Sequence, residues 1–361
     1  MKVAIIGAGL SGLTCALELE KNGIQPDIFE KKFMIGEVFD HCGALLEVVS
    51  RPAGDPLEYL KNNFGLDIKP IRPINSIYMH GPNANVKLKK KYLGYFLSRG
   101  EDKSSVENQL YSDLMGKVKF DTAVDYRDVM KDYDYVIIAT GENSVSKAVG
   151  CWQELVDIWL YGCEVIGTFD PSCLQMWMDT RYSKSGYAYL TPYSNKRATL
   201  ALAVPYIGND EIDYYWDKFR EIVKLPYSIV KTFKCEHISG FVKPMIYKNM
   251  FFVGNAAGGL DSFLGFGQEF ALISGIYAAR AICKGEDYEN NMKGLVNKDL
   301  NLLELRKALD KLDNKNIDLL MKALGFPFFR RLVYSTDLNV VKNGSFLVKE
   351  LFNRFKLNYR R

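Results

Sequence analysis

The run Gly7-Ala8-Gly9-Leu10-Ser11-Gly12 constrains this chain more than any other feature. It stands between a β-branched-rich stretch, Val3 to Ile6, and residues at helical spacing, Leu10, Leu13, Ala16 and Leu17. Asp27 to Phe29 then resume a strand, which Glu30 closes. Strand, helix and strand within about thirty residues begin a parallel sheet. G-x-G-x-x-G is informative in that setting, whereas a glycine-rich turn alone is common. Gly7 permits the tight turn, Gly9 lets the backbone approach a pyrophosphate, and Gly12 lets the helix pack close to the sheet. The helix N-terminus offers amide hydrogens and a favourable dipole to phosphate. Glu30 is placed to accept hydrogen bonds from a ribose diol and to repel a 2′-phosphate.

A third buried strand is expected at Tyr135 to Ala139, ending in Thr140-Gly141, and a fourth at Met250 to Val253. The fourth runs into a second glycine turn, Gly254-Asn255-Ala256-Ala257-Gly258-Gly259, followed by a helical pattern from Gln268 to Cys283. A simple NAD dehydrogenase does not return in this way some 240 residues later. Large flavoproteins do, laying the late segment along the ribityl chain with a helix N-terminus toward the flavin N1–C2=O edge, where negative charge develops on reduction. FAD is therefore the cofactor expected.

From about Asp157 to Pro205 the pattern changes. Alternating stretches at 164–168, 174–178, 187–190 and 198–202, separated by turn residues, predict an antiparallel sheet. After Asp287 the chain reads as helical.

Composition limits what else the chain can be. Of 361 residues, 48% are hydrophobic and 25% charged, an ordinary globular mix. The net charge is +4, but Met321 to Arg361 carries nine basic against two acidic side chains, leaving a mildly acidic body. That distribution argues against a nucleic-acid partner, which needs positive charge across a whole face, and it is compatible with an anionic membrane surface. Seven cysteines with no C-x-x-C suggest neither a disulfide framework nor a zinc site, hence a reducing compartment and no metal. No apolar run reaches the ~18 residues of a membrane span. A cytoplasmic protein, at most peripheral to a membrane, is expected.

With these residues in view, the sequence over roughly Met1 to Cys283 resembles FAD-dependent oxidoreductases with the para-hydroxybenzoate hydroxylase fold, and among them the geranylgeranyl reductase family. The first glycine turn and Glu30 match the family's FAD fingerprint, and Ala139-Thr140-Gly141 its strand-to-flavin segment. Arg99 falls where the family has an arginine beginning the helix that flanks FAD. Gly254-Asn255-Ala256-Ala257-Gly258 is similar to G-D-A-A-G, and Gly265-Phe266-Gly267 stands where a G-x-G faces the flavin. Hydroxylases of this fold carry a histidine at the position of Gly258. Reductases carry a Y-x-W-x-F-P substrate strand, to which Tyr187-Ala188-Tyr189-Leu190-Thr191-Pro192 is similar, with Tyr189 for Trp and Thr191 for Phe. Asn255 replaces the usual aspartate, and an amide can still bond a ribityl hydroxyl.

The resemblance implies an α/β fold with a discontinuous Rossmann-type FAD-binding domain (1–70, 92–156 and 248–285). An antiparallel-sheet substrate domain (71–91 and 157–247) and a helical C-terminal region with a basic tail (286–361) complete it. It implies cofactor contacts from Gly7, Gly9, Gly12, Glu30, Arg99, Gly141, Gly254, Asn255, Gly265 and Gly267. Tyr187, Tyr189 and Pro192 would meet a hydrophobic isoprenoid or lipid-like substrate whose carbon–carbon double bonds take hydride from flavin N5. A flavin monooxygenase and a flavin-binding electron-transfer protein without its own turnover are the other readings. Without a second complete G-x-G-x-x-G, the electron donor is a ferredoxin, a reduced flavin or transiently bound NAD(P)H.

The proton that completes such a reduction needs a donor. Cys42, with His41 and Asp40 beside it, lies in a segment that the family brings near the flavin, and Tyr187 is the second candidate; a merely buried thiol is the alternative for Cys42. His80 and His237 read as structural, Trp177 and Trp216 as core. Arg51 could hold an anionic head group or be simply solvated. Phe346, Leu347, Leu351, Phe352 and Phe355, interleaved with basic residues, form an amphipathic helix suited to anionic lipid or to the protein's own body.

Overall fold

The computed structural model describes residues 1–36, 39–51, 54–334 and 339–346. The apolar runs flanked by glycine become a six-stranded sheet, ordered Ile246–Tyr247, Met250–Phe252, Tyr135–Ile138, Val3–Ile6, Asp27–Phe29, Val118–Lys119. Its central pairs are parallel, with Ile5 opposite Ile28 on one side and Ile137 on the other. All three are fully buried, each contributing roughly 1.5–3 kcal/mol by leaving water. The helices Leu10–Lys21 and Gln268–Lys284 pack tightly together because Gly275 has no side chain. A Cβ there would lie 2.1 Å from the Ser11 carbonyl oxygen.

A seven-stranded sheet runs Ser228–Val242, Trp152–Ile166, Arg197–Pro205, Tyr187–Pro192, Cys173–Trp177, Ser76–His80, Asn85–Lys89. It departs from the purely antiparallel sheet expected at one place: Cys173–Trp177 pairs in parallel with Ser76–His80, from a stretch nearly a hundred residues earlier. Alternation marks a strand but carries no information about its partner or direction. One face of the sheet, with Ala188, Leu190, Leu200 and Leu202, packs under the helix Ile212–Val223. Tyr161 stacks on Trp216 at 4.4 Å there, and Trp177 joins the same core.

A third, three-stranded sheet (His41–Leu46, Gly94–Arg99, Arg72–Pro73) lies outside the expected elements. It corrects the placement of Arg99, which ends a strand; the next helix begins only at Val106. The C-terminal region is helical among the described residues, with Tyr288–Leu309, Asn314–Gly325 and Pro327–Tyr334. Leu302, Leu309, Ile317 and Met321 join a core with Ile74, Ile77 and Leu88, so these helices cover one end of the seven-stranded sheet. The amphipathic stretch from Leu347 onward lies outside the described residues. Among the described residues no helix is long and apolar enough to cross a membrane.

Candidate active site

A cavity of about 720 Å³ runs from the first glycine turn to the seven-stranded sheet, within the ~300–1,000 Å³ of small-molecule sites. At the turn, the glycines divide into two roles. Gly7 has φ +107°, and a Cβ on it would lie 2.2 Å from the Ala139 carbonyl oxygen; on Gly12 it would lie 2.0 Å from that of Gly7. Those two are required by the fold. A Cβ on Gly9 would meet nothing within 4 Å, because it would project into the cavity. Gly9 also N-caps the helix Leu10–Lys21 with no side-chain cap, leaving the first amides directed at that space. Buried Glu30 accepts the Ala8 N–H at 2.8 Å and the Lys32 N–H at 3.0 Å, and its carboxylate lines the cavity with acceptor capacity to spare. Gly141, also lining the cavity, has open space where a Cβ would be.

The second glycine turn reaches the cavity through Asn255; Gly254 sits behind it, its N–H donating to Ser274 Oγ at 2.9 Å. The loop that follows is built around buried Asp261, which accepts the N–H groups of Phe263, Leu264 and Phe266 at 2.9, 2.7 and 2.7 Å. Burial nevertheless pushes this carboxyl above its ordinary range. The loop delivers Gly265 and Gly267 to the cavity, and Gly267 N-caps the helix Gln268–Lys284, again with no side-chain cap. Two helix N-termini without side-chain caps therefore open on one cavity, each favouring negative charge. Gln268 adds a buried Oε1 with no hydrogen-bond partner, an acceptor that costs ~1–3 kcal/mol unless something in the cavity donates to it. These features fit a nucleotide that carries a flavin, which the Gly9 turn and Glu30 would hold at one end and Asn255 and the 265–268 segment at the other. Arg99 lines the cavity too, its Nε donating to Glu107 Oε1 at 2.7 Å.

Beyond the second turn the wall becomes apolar, with Leu46, Ile158, Leu160, Leu174, Met176 and Phe266. Tyr187 and Tyr189 face this space with ring centroids 5.9 Å apart. The Tyr187 hydroxyl donates to the Leu264 carbonyl at 2.5 Å, and burial raises its pKa well above the usual phenol value. Pro192 does not line the cavity; Thr191 does. Cys42 requires a larger correction. It is fully buried and stops short of the cavity, although Ala44 and Leu46 on the same strand face reach it. Two threonines fix it to the neighbouring sheet: Thr199 Oγ1 accepts the Cys42 N–H at 2.9 Å, and Thr191 Oγ1 donates to its carbonyl at 2.6 Å. The thiol points at the Pro192 carbonyl, 3.7 Å away, and burial raises its pKa strongly. His41 does line the cavity, with its ring 5.6 Å from Phe39. Asp40 is turned away, accepting the Asp102 N–H at 3.1 Å.

Arg51 is buried rather than solvated, its Nε and Nη2 donating to the Glu47 carboxylate at 2.8 and 2.9 Å and its Nη1 to the Val333 carbonyl. His80 stacks on Trp177 at 5.0 Å, a packing role. His237 and Cys235, by contrast, line the cavity, as does Arg306, whose Nη2 donates to the Ser185 carbonyl at 2.6 Å. Lone residues on distant segments give no sequence signal of shared position.

Residues 5–37 match the family model of the NAD(P)-binding Rossmann-like domain. The chain is 27% identical over 211 residues to digeranylgeranylglycerophospholipid reductase 2 of Methanothermobacter thermautotrophicus, covering 52% of this chain and about half (54%) of that protein. It is 24% identical to the protein of the same name in Methanosphaera stadtmanae, over 81% of each. Its fold matches the geranylgeranyl bacteriochlorophyll reductase-like protein of Thermoplasma acidophilum with TM-score 0.73 and 17% identity, over 96% of this chain and 98% of that one. A flavin-dependent brominase and a p-nitrophenol monooxygenase share the fold. The architecture is thus that of flavoprotein reductases and monooxygenases. Within it, the chain is related in sequence to the digeranylgeranylglycerophospholipid reductases, in keeping with the resemblance read from its motifs.

Proposed function

We propose that this chain is an FAD-dependent oxidoreductase that reduces carbon–carbon double bonds of a hydrophobic isoprenoid or lipid-like substrate. The observation that carries this reading is the continuity of one cavity from the dinucleotide turn to the apolar wall. The names of the sequence relatives support the substrate class. When bound, the flavin supplies hydride chemistry. The chain's own residues bind and orient it: the Gly9 turn and the helix above it take the phosphates, Glu30 a ribose, and Asn255 the linking chain. The apolar wall accommodates an unsaturated hydrocarbon and excludes water that would compete for the reacting centre. The Tyr187 hydroxyl, bonded to the Leu264 carbonyl, holds the flavin-side loop against the substrate sheet.

Purified protein should be yellow and release FAD on denaturation. After anaerobic reduction with dithionite, digeranylgeranylglycerophospholipid in detergent micelles should reoxidise it and emerge saturated. Oxygen consumption driven by NAD(P)H and stimulated by an aromatic compound would instead establish a monooxygenase. A protein that no acceptor reoxidises would be an electron-transfer partner.

A further inference from the structure

Reduction of an isolated alkene needs a proton as well as a hydride, and the apolar half of the cavity has few groups able to give one. Cys42 is outside it. The Tyr187 hydroxyl is committed to the Leu264 carbonyl. The Arg306 guanidinium is engaged by Asp310 and the Ser185 carbonyl.

The strand Ser228–Val242, at one end of the seven-stranded sheet, contributes a different pair. Its register places His237 opposite Ile158 and Cys235 opposite Leu160, so both side chains share the face on which Ile158 and Leu160 line the cavity. Cys235 packs against the apolar cluster of Ile158, Leu160 and Ala203. Its Sγ lies 3.7 Å from His237 Nε2. The strand then runs into the flavin-side turn: Ser239 Oγ is 2.9 Å from Ser262 Oγ, and the Gly240 carbonyl is so close to Gly258 that a Cβ there would lie 2.2 Å away. The pair thus stands on the cavity wall between the apolar floor and the second glycine turn. Both residues are half-buried, on a strand whose outer edge has no strand partner among the described residues, so protons can be exchanged with water.

We propose that Cys235 is the proton donor of the alkene reduction and that His237 positions and reprotonates it; this rests on the reductase reading above. One alkene carbon receives the hydride, with its electron pair, from the reduced flavin. The π bond breaks, the Cys235 S–H bond breaks, and its proton forms the second C–H bond. The alkene gains two electrons and the flavin loses two. The thiolate recovers a proton from the Nε2–H of the His237 imidazolium, and the neutral ring left behind takes up a proton from the solvent, the one proton the overall reduction consumes.

The test compares wild type with Cys235→Ala and His237→Gln, each loaded with FAD, reduced by dithionite and mixed anaerobically with digeranylgeranylglycerophospholipid micelles. Cys235→Ala should keep full flavin occupancy yet reoxidise about 10²–10⁴-fold more slowly, the range of a lost general acid. A second readout follows alkylation of Cys235 by iodoacetamide, using mass spectrometry: the lipid should protect it, and His237→Gln should slow it. Wild-type turnover with an unchanged Cys235→Ala rate, or labelling indifferent to the lipid, overturns the assignment alone. A wild type that the lipid fails to reoxidise overturns the reductase reading and, with it, the proton role.

Discussion

At the scale of single residues, the first glycine turn separates what the fold needs from what a ligand needs. Gly12→Ala forces a Cβ to 2.0 Å from the Gly7 carbonyl oxygen, a backbone clash that typically costs ~1–3 kcal/mol or more. A lowered Tm is expected even without cofactor. Gly9→Val meets open space, so the apoprotein should keep its Tm while failing to retain flavin, read as absorbance at equal protein concentration. A colourless wild type that refuses added FAD would remove the basis of this contrast. Cys42 supplies the complementary case. Its thiol faces the Pro192 carbonyl rather than the cavity, so Cys42→Ser, which can keep that hydrogen bond, should change the reoxidation rate by no more than about threefold. A hundredfold loss would return Cys42 to the reaction.

At the scale of elements, Asp179 couples the C-terminal helices to the seven-stranded sheet. It follows the strand Cys173–Trp177 closely, N-caps the short helix Thr180–Ser183 and accepts the Asn314 amide at 3.0 Å, at the start of the helix Asn314–Gly325. Burial works to raise the Asp179 carboxyl, but the Arg181 guanidinium and N–H together with Asn314 outweigh it and hold it below the usual carboxylate range. A group depressed in the folded state contributes stability above its unfolded pKa of about 3.9, and that stability is lost as pH falls through the folded value. Denaturant melts should therefore show a wild-type decline below about pH 4 that is reduced in Asp179→Asn. At neutral pH the substitution should cost ~1–3 kcal/mol, since it removes a charge-assisted partner from Arg181. An identical pH profile for both proteins would show that the carboxylate does not couple these elements.

At the scale of the whole molecule, Leu319, Phe326, Phe328 and Phe346 of the C-terminal region are 63%, 64%, 72% and 67% exposed, with Lys322, Arg331 and Lys342 three or four positions away from them along the chain. A hydrophobic surface with basic neighbours is the composition that anionic lipid attracts, at about 1 kcal/mol per Lys or Arg near the surface. The protein should float with anionic vesicles, not neutral ones, and salt should weaken the effect as the Debye length shortens. Equal retention after removal of residues 347–361 would show that the basic tail is not the anchor.

The sequence alone determined the elements whose signal is local. Gly7, Gly9, Gly12 and Glu30 announce the dinucleotide turn because its geometry tolerates few other residues over some two dozen positions, and the apolar strands of the parallel sheet are legible because burial on both faces leaves no polar alternation. What the tertiary structure decided are the relations between distant segments. Threonine hydrogen bonds from two other strands turn Cys42 away from the cavity that its position in the chain suggested. Arg99 ends a strand of a small sheet whose partners are scattered along the chain. Cys235, His237 and Arg306 come to one cavity through strand register and helix docking, which depend on complementary surfaces across the whole molecule rather than on the spacing of neighbours along the chain.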